Sequence, residues 1–183
     1  GLLMVVDVHK VYEHPLPYMD REFIDFWAGL AKALSSEDPE WMVLETTNEP
    51  TPGGIYQYVD SLWYEQQEKV VAVMRENAPE HTIAVVGSQC FPDASWKGGR
   101  NGINWDNVDC LMRMGMPPGI ENLVVTIHDY APMTYTHQGA SWVAFYSEVR
   151  NIEYPPNKEN CEWAIHRADD LDAKQNIREY LQW

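Results

Sequence analysis

Positive charge is scarce in this chain: 13 Lys and Arg stand against 28 Asp and Glu, a net charge of −15, and the basic residues form no cluster. That excludes nucleic acid and anionic membrane surfaces as partners and favours a neutral or cationic one. No apolar run approaches the roughly 20 residues that a spanning helix needs, and no glycine-rich phosphate loop follows any strand-like run, which removes the nucleotide-binding α/β folds. Three cysteines, Cys90, Cys110 and Cys161, are far apart and make no Cys-x-x-Cys pair, so they read as buried thiols. Phenylalanine is sparse, with four residues, but tryptophan and tyrosine are abundant, eight and ten. Most such rings fill cores, yet flat aromatic faces also stack on the C–H faces of sugars, so the load leans toward a carbohydrate cleft.

The 183 residues are 45% hydrophobic, enough for one globular core. Four short, nearly continuous apolar runs stand out: Leu2-Leu3-Met4-Val5-Val6, Trp41-Met42-Val43-Leu44, Thr82-Ile83-Ala84-Val85-Val86 and Leu123-Val124-Val125-Thr126-Ile127. They recur about every 40 residues. Continuous rather than alternating runs suit parallel strands covered on both faces. Between the first two, Phe23, Phe26, Trp27, Leu30 and Leu34 fall at helical spacing, with Asp20 as cap and Pro39 beyond the end. Between the next two, Val59, Leu62, Trp63, Val70, Val73 and Met74 form a second stripe, closed by Pro79. The third crossover is richer in Gly, Ser and Pro, with helix expected only over Trp105 to Met114; later helices are expected over Ala140–Arg150 and Glu159–Tyr180. Strand and helix alternating at this period predict an α/β fold, a (β/α)8 barrel or an open doubly wound sheet. Eight such units need on the order of 320 residues. The sequence opens in a strand without a polar leader and stops near a helix, and is read as the central piece of a larger barrel.

Within that frame the most informative run is Val43-Leu44-Glu45-Thr46-Thr47-Asn48-Glu49-Pro50, an apolar strand that ends in an Asn-Glu pair and a proline. Parallel β/α folds place their chemistry at the C-terminal strand ends, where Glu49 can donate a proton and the Asn48 amide can bind a hydroxyl. Polar groups end two other strands: Asp7 and His9 after the first, His128 and Tyr130 after the fourth. Since strand side chains alternate, each pair shares a face and can point into one cleft.

Taken in order, these motifs resemble glycoside hydrolase family 5, the cellulase and β-glycanase family of retaining (β/α)8 glycosidases. Val6-Asp7-Val8-His9 resembles its third barrel strand, Asn48-Glu49-Pro50 its acid/base motif on the fourth, and His128-Asp129-Tyr130 its sixth-strand His-x-Tyr. Thr136-His137-Gln138-Gly139-Ala140-Ser141-Trp142 is similar to a bacterial branch of the family. The resemblance implies an incomplete (β/α)8 barrel of about four strands, third to sixth, forming one partial catalytic domain over 1–183. It implies Glu49 as general acid/base and Asn48 on the sugar 2-hydroxyl, with His9, His128 and Tyr130 lining the subsite at the scissile bond. A β-glycan substrate, no cofactor or metal, a monomer when complete, and a secreted or periplasmic site follow from the same resemblance. Trp96 and Trp142 are candidate sugar platforms, with core packing an equal alternative.

A retaining mechanism also needs an ionised carboxylate about 5 Å from the acid. The family's nucleophile glutamate closes the seventh strand in a glycine-flanked setting that this sequence lacks; Glu162, in a charged, helix-like stretch, is rejected for the role. Two rival readings stay open: a non-catalytic carbohydrate-binding barrel, and a metal-dependent barrel hydrolase using Asp7, His9 and His128.

Overall fold

The computed structural model describes residues 2–9, 21–50, 60–87, 121–128, 130, 132–142, 146–168 and 171–182. Asp20, Val59, Cys90, Trp96, Cys110 and the helix expected over Trp105–Met114 lie outside them. The chain forms two compact units, residues 1–129 and 130–183.

The first unit carries β1 (Met4–Val6), α1 (Arg21–Leu34), β2 (Met42–Glu45), α2 (Asp60–Asn77), β3 (Thr82–Val86) and β4 (Leu123–Thr126). The four strands pair in sequence order, all parallel, with Val5 beside Val43, Leu44 beside Ile83 and Ala84 beside Val124. This is the strand order of successive units of a (β/α)8 barrel, here four strands of it, and the expected period of about 40 residues holds because each crossover returns the chain to the same end of the sheet.

Helix α1 forms because Phe23, Trp27 and Ala31 recur every four residues and bury one stripe. On α2, Trp63, Val70, Val71 and Met74 do the same, and both stripes pack on Met42, Leu44, Ile83 and Val85 of the two inner strands. Phe26 and Leu62, counted in those stripes from spacing, are instead exposed, at 50% and 42%. They sit at the stripe margins, where a further element of the layer could cover them.

The indole of each helix reaches a strand end: Trp27 Nε1 donates to the carbonyl of Thr46 at 2.8 Å, and Trp63 Nε1 to that of Val86 at 2.9 Å. Buried Gln67 on α2 bridges the same two ends, its Oε1 accepting from Thr46 Oγ1 at 2.8 Å and from the Val86 amide at 2.9 Å. At the opposite end of the sheet Arg75 donates to the carbonyls of Pro79, His81, Glu121 and Asn122, tying the α2 C-terminus to the starts of β3 and β4. One end of the sheet is thus fixed for stability and the other for precise placement of side chains.

The second unit holds α3 (Met133–Thr136), α4 (Lys158–Arg167) and α5 (Leu171–Tyr180) around Tyr146, Val149, Ile152, Cys161, Ala164 and Ile177. Two expectations are corrected here. Of the stretch Ala140–Arg150 expected as helix, the described residues 140–142 and 146–150 are not helical and run in turns and irregular backbone. The Gly139 amide donates to the Tyr146 carbonyl and Gln138 holds both the amide and the carbonyl of Ile152, so loop closure takes the groups a helical ladder would need. Gly139, at φ +80°, also leaves only 3.1 Å between an added Cβ and the Arg150 guanidinium. The expected helix Glu159–Tyr180 is two helices, because Ala168 turns extended (φ −73°, ψ 133°) and ends α4. The Asn157 side chain caps α4 by accepting from the Asn160 amide. Cys161 is a buried free thiol, as expected, and burial pushes its pKa up. No helix among the described residues is long and apolar enough to cross a membrane.

Candidate active site at the strand ends

The residues after β2 are held from three sides. The Thr46 amide donates to Ala84 on β3, the Thr47 hydroxyl to the Val8 carbonyl at 2.8 Å, and the Asn48 amide to that same carbonyl at 3.1 Å. Thr46, Thr47, Asn48 and Glu49 are all buried, an unusual run of polar residues away from water. They end in strain: Glu49 adopts φ +36°, a conformation disfavoured for any residue with a Cβ and further restricted by the proline that follows. Such strain costs on the order of 1–3 kcal/mol and persists only where the surroundings over-determine it, which the hydrogen bonds to Val8, Ala84, Trp27 and Gln67 do.

That backbone delivers Glu49 to His128. Its Oε1 lies 2.8 Å from His128 Nδ1, with the two side chains 10% and 18% exposed. The hydrogen bond to Glu49 pushes the His128 pKa up, against burial, with the carboxylates of Glu49, Glu45 and Asp7 acting in the same upward direction. From β1, His9 Nδ1 lies 3.1 Å from Asp7 Oδ2, as their shared face predicts, with the imidazole 70% exposed.

The structure therefore brings Glu49, Asn48 and His128 together at the strand ends and leaves His9 at the rim, tied to Asp7. Tyr130 belongs to the second unit, where it meets His137 edge-on with centroids 5.1 Å apart. His137 is also 2.9 Å from the Thr136 hydroxyl, which donates to the Tyr130 carbonyl. Trp142 is 79% exposed, so its ring is not core. Glu162 lies within α4, exposed and 3.8 Å from Lys158. A cavity of about 300 Å³ in the second unit, lined by Asn151, Glu153, Asn157 and Trp163 among others, contains none of the expected site residues.

Two buried polar side chains near these strand ends escaped the sequence reading. Glu45, the last residue of β2, is 8% exposed and its pKa is raised by burial. A charged residue ending an apolar strand was the available signal. Gln67 gave none, since a helical glutamine normally faces water. No group of three or more His, Cys, Asp and Glu among the described residues is placed to hold a metal ion, so the metal-dependent alternative gains nothing from the geometry.

A model of the cellulase family, glycosyl hydrolase family 5, matches residues 1–183. Endoglucanase 3 of Fibrobacter succinogenes is 24% identical over 196 residues, covering all of this chain and 27% of its own length. The structure of Thermotoga maritima Cel5A in complex with mannotriose superposes with a TM-score of 0.58 at 24% identity, over 97% of this chain and 50% of that one. Its complex with cellobiose gives 0.57 at 23%, with the same coverage. The chain thus spans about a quarter of the first relative and half of the second, and the superpositions establish the shared fold.

Proposed function

Since the chain belongs to the cellulase family, glycosyl hydrolase family 5, we propose that it forms the acid/base half of a retaining glycosidase that cleaves β-linked glucans, with Glu49 as proton donor. The observation that carries this is the placement of Glu49: a strained, buried carboxyl fixed at the C-terminal end of a parallel strand and hydrogen-bonded to His128. General acid catalysis requires a carboxyl that is held in one place and partly shielded from water. Asn48, whose side chain has no hydrogen bond among the described residues, presents its amide for a sugar 2-hydroxyl, and His128 orients the acid. His9 serves the neighbouring subsite, the family motif His128-Asp129-Tyr130 assigns Tyr130 a substrate contact as well, Trp142 has an exposed ring suited to stacking, and the endoglucanase and the cellobiose-bound enzyme above support a β-glucan or oligosaccharide substrate.

Both units belong, on this reading, to one catalytic barrel domain, which the family match over 1–183 supports. The nucleophile is a carboxylate outside these residues; Glu162, paired with Lys158 on a helix surface, is not suited to attack an anomeric carbon. In the protein carrying the complete barrel, Glu49→Gln is expected to lower kcat on a β-glucan by 10³-fold or more, in line with losing general acid catalysis. Azide should restore turnover of an aryl β-glucoside bearing a good leaving group, giving a β-glycosyl azide. Initial products of the α-configuration would refute the retaining mechanism. Undiminished hydrolysis by Glu49→Gln would refute the assignment of the acid, and glycan binding without any hydrolysis by the parent would support the lectin-like alternative.

A further inference from the structure

Glu45 is the buried acid that this mechanism does not use. On β2, Leu44 packs into the core under the helices and the Thr46 hydroxyl bonds Gln67 on α2, so the alternate residue Glu45 faces the other side of the sheet, the barrel interior. Its Oε1 is closed to solvent and has no hydrogen-bond partner among the described residues. Thr126 on β4 shares that face, and the charged groups acting on the carboxyl are Asp7 and His9 from the end of β1 and His128 from the end of β4; the described part of β3 carries no charged side chain. His128 in turn feels Glu49, Glu45 and Asp7. One carboxyl at the end of β2 and one four residues beyond it therefore bear on one imidazole, Glu49 by contact and Glu45 by its field.

We propose that Glu45 is a positioning residue for the proton donor, a carboxyl inside the barrel that acts on Glu49 only through His128. The inference rests on Glu49 being the acid. The 2.8 Å contact between Glu49 Oε1 and His128 Nδ1 can be held with either of two proton arrangements. In one, the Nδ1–H of a neutral imidazole donates to Oε1 of a protonated Glu49 whose proton sits on the other oxygen; in the other, an imidazolium N–H donates to the Glu49 carboxylate. Only the first can protonate a leaving oxygen. An uncharged Glu45 leaves both open, whereas an ionised Glu45 adds a second negative charge beside the imidazole and favours the imidazolium. A buried carboxylate oxygen lacking a donor is costly, which favours the uncharged form. Burial pushes the Glu45 pKa up accordingly, Asp7 adds to it, and the Thr126 hydroxyl and the two histidines oppose it. When Glu45 ionises, its own proton passes to solvent and the proton of the pair shifts from Glu49 to the imidazole, and no bond to substrate changes.

The test uses Glu45→Gln, permanently uncharged and nearly isosteric, in the protein with its complete barrel. NMR titration of the His128 imidazole should show its midpoint lowered by about half a unit or more. The alkaline limb of kcat should move to higher pH with KM held. The direction discriminates: a direct field from Glu45 on Glu49 would move that limb to lower pH on removal of the charge, so a downward or absent shift overturns the proposal, as does an unmoved His128 midpoint. Should Glu45→Gln not fold, Thr126→Val removes a hydroxyl on the same face that favours ionised Glu45 and must shift the limb the same way; no shift overturns the proposal equally. Absence of hydrolysis by the parent protein would instead sink the glycosidase reading, while the His128 titration still judges Glu45.

Discussion

The hydrogen bond between Glu49 and His128 ties the site to stability as well as to chemistry. A histidine whose pKa is higher folded than unfolded stabilises the fold fully below its unfolded value of about 6.5, and that contribution is lost as pH rises through the folded value. Glu45 runs in the same direction: its neutral form is favoured by folding, so stability falls as pH rises above about 4.5 toward its raised value. Thermal midpoints of the complete protein should therefore fall from pH 5 to 8 more steeply than those of His128→Gln, with the two curves converging at the alkaline end. Parallel curves would mean that the 2.8 Å contact carries no net linkage. At this scale the sequence was informative wherever a residue type and a strand end coincided, which is how Glu49, Asn48 and His128 were singled out as candidates. It was silent on Glu45, whose role depends on Thr126 and His128 arriving from a strand about 80 residues away, and no local pattern encodes that meeting.

The strand ends are set by the elements behind them. Trp27 and Trp63 each cap a strand-end carbonyl, and Gln67 joins the ends of β2 and β3, so the loop bearing Glu49 inherits its position from α1 and α2. Gln67→Leu would leave the Thr46 hydroxyl and the Val86 amide without their buried acceptor. An orphaned buried donor costs about 1–3 kcal/mol, so a loss of roughly 2–4 kcal/mol in urea unfolding is expected, together with a lower kcat, since Thr46 lies three residues before Glu49. A loss under about 1 kcal/mol would show that the indoles alone hold the strand ends. Elements were legible where periodicity governs: continuous apolar runs gave the four strands, and Phe23, Phe26, Trp27, Leu30 and Leu34 marked α1 from spacing alone. The described ends of Ala140–Arg150 were misread as helix because its apolar residues are spaced like one, while Gly139, outside the window, takes the Tyr146 carbonyl and Gln138 the Ile152 amide. Tertiary hydrogen bonding overrode local pattern.

For the molecule as a whole, what matters is the contrast between inner and outer strands. Leu44, Ile83 and Val85 are fully buried, whereas Met4, Val5, Val124 and Val125 on β1 and β4 are 40–55% exposed. Among the described residues β1 pairs only with β2, and β4 only with β3, so each presents a free row of backbone donors and acceptors beside exposed apolar side chains. Barrel closure removes such edges. The 183-residue chain by itself is therefore expected to self-associate through β1 and β4, and the complete barrel to be monomeric. Charge opposes association: at −15 net, copies repel until salt screens them, over about 8 Å at 0.15 M. Sedimentation velocity of the 183-residue chain should thus show larger species as salt rises from 0.01 to 0.3 M, the reverse of an assembly held by ion pairs. A monomer that stays soluble across that range and melts reversibly and cooperatively would overturn this, and would mean that four strands with their helices suffice as a folding unit.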